Sequence, residues 1–492
     1  MKYFSYIFLF MILMMNHVQA QNNLLLSDDF WSAQPDLNQV KQAVTNGNNP
    51  SAQNNRGFDA TTYAILNNAD VSIIDFLLQQ DGNSVDKKTH DGRIYLLWAG
   101  SKGNIPLIEY LIEKGSDVMA VEDKGNNLVT YTAVRGVTNP AVYTTFKQHG
   151  IPLSIQNTKG AHALLLLAPA VKQVADLNFL LKEKDIQLTD TDKDGNNIFL
   201  YTATSGNIPM LKDLIQHKIN PLHENLQKEN AMFFAAQGQK RSFNNIEVFE
   251  FLKSIGVPTR VSNKNNETPL HKLASRNNHI SIYEFFINQG VDANQKDKNG
   301  NPAIFYAVQG NNNSVAKFLL NDFQNINETN AYGETLMTKA IAGGNADIFD
   351  ALIQKNMDLK HLNQKGESYL YPLFQFYNPQ NQKFFEKAFN VFKNAGISAS
   401  SAQLSLFHIA VEKNSLFLLH KAQKISQDIN QKNEKGLSPL QLAAMQVDDV
   451  QFMKDLIVFG ADKNVRTDFD ESVLDLASEN EKLQGQDLTF LN

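Results

Sequence analysis

The sequence contains no cysteine, although it runs to 492 residues. A disulfide framework, a thiolate metal site and a cysteine nucleophile are therefore excluded. A strong charge of one sign is also lacking, because 45 Lys and Arg residues stand against 51 Asp and Glu residues and leave a net charge of −6. Proteins that bind the phosphate backbone of nucleic acids carry an excess of basic residues, so nucleic-acid binding is disfavoured.

Catalytic motifs are missing as well. No Gly is followed directly by Lys, which excludes the phosphate-binding P-loop, and no Gly-x-Ser-x-Gly nucleophile elbow occurs. His223 and Glu224 begin a zinc-protease pattern that lacks its second histidine. We therefore expect no catalytic residue, no cofactor and no metal ion.

One stretch imitates a calcium loop. Asp190, Asp192, Asp194 and Gly195 occupy its first, third, fifth and sixth positions. The twelfth position, which normally supplies two glutamate oxygens, is Tyr201. A polar turn is therefore the interpretation that we favour over a calcium site.

Long apolar runs are absent except at the N-terminus. Lys2 is followed by 13 predominantly apolar residues, positions 3–15, and by small residues that end at Ala20. This order is typical of a secretory signal peptide, and the run is shorter than the ~20 residues of a membrane-spanning anchor. We expect residues 1–20 to be a signal peptide cleaved after Ala20, which places the mature chain in the periplasm or outside the cell.

Glycines in polar turns recur at a steady period. Gly57, Gly92, Gly125, Gly160 and Gly195 are separated by 35, 33, 35 and 35 residues. The same spacing or its multiples leads to four more glycines: Gly300, Gly333, Gly366 and Gly436. A period of this length indicates a repeat architecture in which each unit buries its apolar face against its neighbours.

Each repeat unit has the same parts. A polar turn precedes a short apolar helix, a Gly-Asn break follows, and a second, amphipathic helix completes the unit. The break is clearest in two copies of Gly-Asn-Ile-Pro that begin at Gly103 and Gly206. Gly and Asn end the first helix there, and Pro106 and Pro209 lie in the first turn of the second helix, where proline is tolerated.

Two units carry a tetrapeptide that identifies the kind of repeat. Thr268–His271 reads Thr-Pro-Leu-His and is followed by Gly-Val-Asp-Ala-Asn, and Ser438–Gln441 reads Ser-Pro-Leu-Gln. With these motifs and its period, the chain resembles the ankyrin repeat family over nearly all of residues 25–485, in about thirteen units that include caps.

The resemblance implies an all-α repeat solenoid of helix-turn-helix units with β-hairpin-like finger loops, curved with a concave groove. One solenoid would span residues 21–492, with irregular loops near 237–247 and 375–385. In the family, the histidine of Thr-Pro-Leu-His braces the turn by hydrogen bonds, so His271 and His408 are expected to be structural.

Aromatic residues recur before the small-residue pair of the first helix. They either fill space between neighbouring first helices or line a partner groove, as interface aromatics do. We expect partner contacts at the groove and at the finger tips. The candidate residues are Trp98, Lys102, Tyr131, Arg135, Lys193, Asp194, Tyr201, Arg276, Lys298, Asn299, Tyr306 and Tyr332.

The function expected from this resemblance is a non-catalytic scaffold that binds partner proteins and is itself a monomer. An exported enzyme is one class of partner to test. Two alternatives stay open: an enzyme or small-molecule binder that uses the irregular loops, and a self-assembling structural protein of the cell envelope. No nucleic acid partner and no membrane insertion after signal removal are expected.

Overall fold

The computed structural model describes residues 23–240, 242–399 and 404–492. The expected signal peptide lies outside these residues. The described residues form 27 α-helices and no β-strand, which confirms the all-α repeat solenoid. Hairpin character is limited in the described loops to isolated bridges, such as Thr191 with Asn197 and Lys296 with Pro302. No helix among the described residues has the length and apolar character needed to cross a bilayer.

The described residues divide into two compact units, one that ends at Pro258 and one that begins at Thr259. The helices of the first unit are α1 Asp28–Ser32, α2 Leu37–Thr45, α3 Ala60–Leu66, α4 Val71–Leu78, α5 Tyr95–Lys102, α6 Ile105–Glu113, α7 Leu128–Val134, α8 Pro140–Gln148, α9 Ala163–Leu167, α10 Asn178–Leu181, α11 Ile198–Ala203, α12 Ile208–Gln216, α13 Ala231–Gln237 and α14 Ile246–Ser254.

The second unit continues the same alternation of helices. Its helices are α15 Pro269–Ala274, α16 Ile280–Asn288, α17 Ala303–Gln309, α18 Asn313–Asn321, α19 Leu336–Ala342, α20 Ala346–Gln354, α21 Leu370–Gln375, α22 Gln382–Asn394, α23 Leu406–Glu412, α24 Leu416–Ala422, α25 Pro439–Gln446, α26 Val450–Val458 and α27 Val473–Glu479.

The helix pair α5 and α6 shows how the sequence builds a repeat. Residues 95–100 of α5 are all buried, because neighbouring first helices α3 and α7 pack on both sides of α5. In α6 the burial follows helical spacing at Leu107, Ile108 and Leu111. Each fully buried side chain of this size contributes about 1.5–3 kcal/mol, and a single repeat cannot bury its apolar face without its neighbours.

The Gly-Asn joint has the expected geometry. Gly103 and Gly206 adopt left-handed backbone conformations, with φ of 64° and 62°. The next residue, Asn104 or Asn207, caps the second helix by accepting a backbone N–H three residues on. The twin stretches are therefore two copies of one helix joint.

One repeat departs from the regular pattern. After Gly160, α9 spans only five residues and α10 only four, with 3₁₀ turns at Ala168–Ala170 and Val174–Leu177 between them. Pro169 lies where α9 would continue, and a proline there cannot donate the helical hydrogen bond.

The two stretches expected to be irregular lie between helices of a pair. Residues 238–245 connect α13 and α14 and contain a bridge between Gln239 and Ser242. The other stretch is partly helical, because Gln375 ends α21, a 3₁₀ turn spans Pro379–Asn381, and α22 begins at Gln382.

Close packing of first helices leads to a stability prediction. A Cβ on Gly100 would lie 2.5 Å from Thr132 Oγ1 and 2.7 Å from Leu128 Cδ1 on α7. Gly100→Ala should lower the free energy of unfolding by about 1–3 kcal/mol, the usual cost of overpacking. Adding Thr132→Ala, which also removes a buried hydroxyl without a hydrogen-bond partner, should recover part of this loss.

The measurement is the urea unfolding midpoint, followed by circular dichroism. Ser101→Ala, one residue further along α5, is the matched control and should shift the midpoint much less. A Gly100→Ala protein as stable as the parent would show that α5 and α7 are not this close.

Candidate partner-binding surface

In nine of the loops between repeats that the structure describes, a side chain at the base of the loop accepts hydrogen bonds from the loop's own backbone. We define a finger loop as the segment that joins the second helix of one pair to the first helix of the next. In one loop, Asp192 Oδ1 accepts the backbone N–H groups of Asp194 and Asn196, both at 2.9 Å. The same pattern, with N–H groups two and four residues on, recurs at Asn54, Asn157, Asn225, Asn263, Asp297, Asn330, Asn363 and Asn433.

These base residues were missed by the sequence interpretation, which followed the turn glycines instead. Asp192 precedes Gly195 by three positions, as Asn54 precedes Gly57. Asn and Asp side chains commonly bond their own backbone in this way. An Asn or Asp three residues before a turn glycine was thus the signal that could have found them.

Neighbouring fingers are joined by backbone hydrogen bonds. In the first unit, Lys193 N donates to Lys159 O at 2.9 Å and Leu226 N donates to Asp194 O at 2.8 Å. In the second unit, Ala331 N donates to Asn299 O at 2.8 Å. Because each finger is held by the previous one, its exposed side chains are presented from a defined backbone.

The expected polar turn accounts for the calcium-like sequence. Asp192 Oδ2 accepts hydrogen bonds from Asn196 Nδ2 at 2.8 Å and from Tyr201 Oη at 2.7 Å. Asp190 Oδ2 lies 2.9 Å from His162 Nε2. These carboxylates are engaged within the fold, and the described residues contain no group of three or more His, Asp or Glu side chains placed to hold a metal ion.

The aromatic residues of the first helices are tied to the finger bases. Trp98 Nε1 donates to Thr89 Oγ1 at 2.8 Å, and Tyr306 Oη donates to Asp297 Oδ2 at 2.5 Å. Each partner lies nine residues before the ring, as Asp192 lies before Tyr201. Burial, with the neighbouring carboxylate, raises the pKa of Tyr201 and Tyr306 far above the usual tyrosine value. These hydroxyls therefore stay protonated and act as donors.

A buried arginine joins two rings, and the sequence interpretation did not find it. Arg93 is 6% exposed and donates to Glu122 Oε2 at 2.8 Å. Its guanidinium lies 4.9 Å from the Trp98 ring centroid and 4.7 Å from that of Tyr131. Trp98 and Tyr131 are each only 5% exposed, which leaves them little surface for a partner.

The candidate residues at the tips differ in their exposure and contacts. Lys193 Nζ donates to Thr158 O and Lys298 Nζ donates to Asn265 Oδ1, both at 2.9 Å, so each lysine also links its finger to the preceding one. Asp194 and Asn299 accept the next finger's N–H through their backbone carbonyls. Tyr332, by contrast, is 61% exposed.

The three candidate groove cations lie at the C-terminal ends of first helices and are exposed. Lys102 ends α5, Arg135 follows α7, and Arg276 follows α15. Lys102 and Arg135 belong to the first unit and Arg276 to the second.

Exposed apolar side chains add a set that the sequence interpretation did not identify. Of the twelve large apolar side chains that are exposed in the described part of the chain, seven lie in finger loops. They are Met119, Val121, Leu222, Leu226, Tyr332, Leu362 and Phe469. Such side chains are a common mark of interaction surfaces when they cluster.

His271 and His408 brace the starts of α15 and α23, as the resemblance implied. His271 Nδ1 accepts the N–H of Thr268 at 3.0 Å, and its Nε2 lies 3.1 Å from Asn301 O. His408 makes the same pair of contacts with Ser405 N and Leu437 O. Burial lowers the pKa of both imidazoles, and the hydrogen bonds to Asn301 O and Leu437 O offset this only in part.

These lowered pKa values predict a pH dependence. The unfolded chain binds protons at both histidines as the pH falls below about 6.5, whereas the folded chain binds them only at a lower pH. Stability is therefore fully present above that pH and declines as the pH falls toward the folded pKa values. The double variant His271→Gln/His408→Gln should show a shallower decline between pH 7 and 5, measured as the urea midpoint at each pH.

Glutamine is the natural choice for this test, because Gln441 fills the same position. Its Oε1 accepts Ser438 N at 2.9 Å. The exposed His217→Gln change is the control and should leave the pH profile as in the parent. An unchanged slope in the double variant would contradict the assignment.

Comparison with known families agrees with these repeats. A family model for ankyrin repeats in three copies matches residues 30–122 and 240–330, and a second model for ankyrin repeats in many copies matches residues 310–353. No curated protein matches the chain. Ankyrin repeats are generally protein–protein interaction modules, and proteins built from them are typically non-catalytic. By its repeats and by these matches, the chain belongs to the ankyrin repeat family.

Proposed function

We propose that this protein is a non-catalytic scaffold, exported from the cytoplasm, that binds a partner protein through its finger loops. The family supports the general role of protein binding. The concentration of exposed apolar side chains in finger loops supports this surface in particular.

The second unit offers the sharpest candidate within this surface. Tyr332 and Leu362 are 61% and 47% exposed and lie in consecutive finger loops. Gln364 Nε2 donates to Ala331 O at 2.8 Å and joins the two loops beside these side chains. Side chains held on a rigid backbone lose less conformational freedom on binding, which suits Tyr332 and Leu362 to anchor a partner.

The test is capture of a partner from an envelope extract of the source cells by the immobilised mature chain. The double variant Tyr332→Ser/Leu362→Ser should weaken capture about thirtyfold, because interface anchors contribute at least about 2 kcal/mol. The affinity for the captured protein, once it is purified, gives the measured value.

Val458→Ser is the matched control, since Val458 is 80% exposed at the end of the second helix α26, away from the finger loops. It should leave capture unchanged. Equal loss in both variants would mean nonspecific adhesion. A chain that captures nothing but forms oligomers with rising concentration would favour the self-assembling alternative.

Export carries its own prediction. The full chain, expressed in a Gram-negative host, should appear in the periplasm or medium with Gln21 as its first residue, because signal peptidase cleaves after small residues such as Ala20. Mass spectrometry of the intact protein gives the N-terminus. Replacing Leu9 and Leu13 in the apolar run with Asp should retain the precursor in the cytoplasm. Cytoplasmic protein with an intact N-terminus in the parent would refute export.

A further inference from the structure

Two repeats of the second unit contain a glutamate that is neutralised within its own repeat. Glu267 and Glu334 each lie four residues after the asparagine at the finger base and accept its side-chain N–H. Five residues further on, Lys272 and Lys339 donate to these carboxylates at 2.7 and 2.5 Å. Although burial raises the pKa of both glutamates, the lysines and asparagines lower it overall.

The next repeat has the glutamate but not the lysine. Glu367 accepts Asn363 Nδ2 at 2.8 Å, as its counterparts accept their asparagines. The residue five positions on is Pro372. Among the described residues, no Lys, Arg or His nitrogen lies within 4.0 Å of the Glu367 carboxylate.

A cavity of about 220 Å³ is lined by both Glu367 and Pro372. Its lining includes Glu334, Glu367 and Pro372, together with the Tyr369 and Phe376 rings. The Phe376 ring is 46% exposed. The cavity thus combines a carboxylate without a counterion, polar groups and aromatic surface.

The other charged groups near this cavity either have partners of their own or lie beyond 4.0 Å, the ion-pair distance, from that carboxylate. Lys339 is engaged with Glu334. His361, which also lines the cavity, contacts Gly333 O through Nε2 at 3.0 Å. Lys365 and Lys435 share a second cavity with Glu367 but form no ion pair with it.

We propose that this cavity binds an arginine side chain of the partner protein. A guanidinium is planar, pairs with a carboxylate through several N–H groups and stacks on aromatic rings. Glu367 supplies the carboxylate, and Phe376 supplies an exposed ring. The arginine takes the place that Lys272 and Lys339 occupy beside their glutamates.

This inference rests on the proposed function only for the source of the arginine, so the cavity is tested directly. The probe is the blocked tripeptide acetyl-Gly-Arg-Gly-amide, titrated into the mature chain and followed by NMR of the peptide side chain. The analogues with lysine and with uncharged citrulline in the centre are titrated in parallel. The arginine peptide should bind most tightly, and the citrulline peptide should bind at least about tenfold more weakly, since a hydrogen bond to a charged group contributes about 1.5–3 kcal/mol.

Two variants locate the binding. Glu367→Gln should weaken the arginine peptide about tenfold. Pro372→Lys should weaken binding of the arginine peptide similarly, because the new lysine should pair with Glu367 as Lys272 and Lys339 pair with their glutamates. Pro372 lies in the first turn of α21, where a lysine is compatible with the helix, so this variant should fold. Glu267→Gln, in a repeat with its own lysine, is the control and should leave binding unchanged.

The outcomes separate the two proposals. Equal binding of the arginine and citrulline peptides, or binding that neither Glu367→Gln nor Pro372→Lys changes, would overturn the cavity assignment even if a partner protein is captured. Equal binding of the lysine peptide would overturn the choice of arginine. Arginine binding at the cavity without any captured partner would instead count against the proposed function.

Discussion

The hydrogen bonds at the base of nine finger loops, at Asp192 and its counterparts, are the interaction on which the rest of this structure depends. A helix pair of this length cannot bury its apolar face alone, so it needs a loop that delivers the chain to the next pair in a defined position. Asp192 and its counterparts close that loop by accepting two backbone N–H groups. The closed loop then bonds to the preceding finger. The buried backbone groups of the loop thus have hydrogen-bond partners, and each helix pair packs against the preceding one.

The aromatic rings connect this loop to the helices. Tyr201 and Tyr306 use their hydroxyls on the finger base, and Trp98 uses its indole N–H in the same way. In these three repeats the ring therefore links the first helix to the loop that precedes it. This explains how short loops can present side chains such as Tyr332 to a partner without a large loss of conformational freedom on binding.

Departures from the repeat pattern point to function, because a repeat that keeps every rule is explained by stability alone. Glu367 keeps its asparagine but has Pro372 in place of a lysine. The aromatic residues that recur in the first helices illustrate the structural case. Their position on one helix face was compatible with filling space or with binding. The burial of Trp98 and Tyr131, together with the hydrogen bond of Trp98 and the packing of Arg93 on both rings, shows the first role for these two.

The sequence by itself determined the repeat period and the helix joints at Gly103 and Gly206, because these depend on contacts within a few residues of the chain. The resemblance to the family implied the bracing role of His271, whose second contact, with Asn301, lies one repeat away. The tertiary structure alone decided which side chains are buried, paired or free to meet a partner. Arg93 meets Glu122 29 residues further on, in the next repeat, and Lys193 reaches Thr158 35 residues earlier, in the preceding repeat. Such contacts depend on how neighbouring repeats stack, so the local pattern that predicts each repeat carries no signal for them.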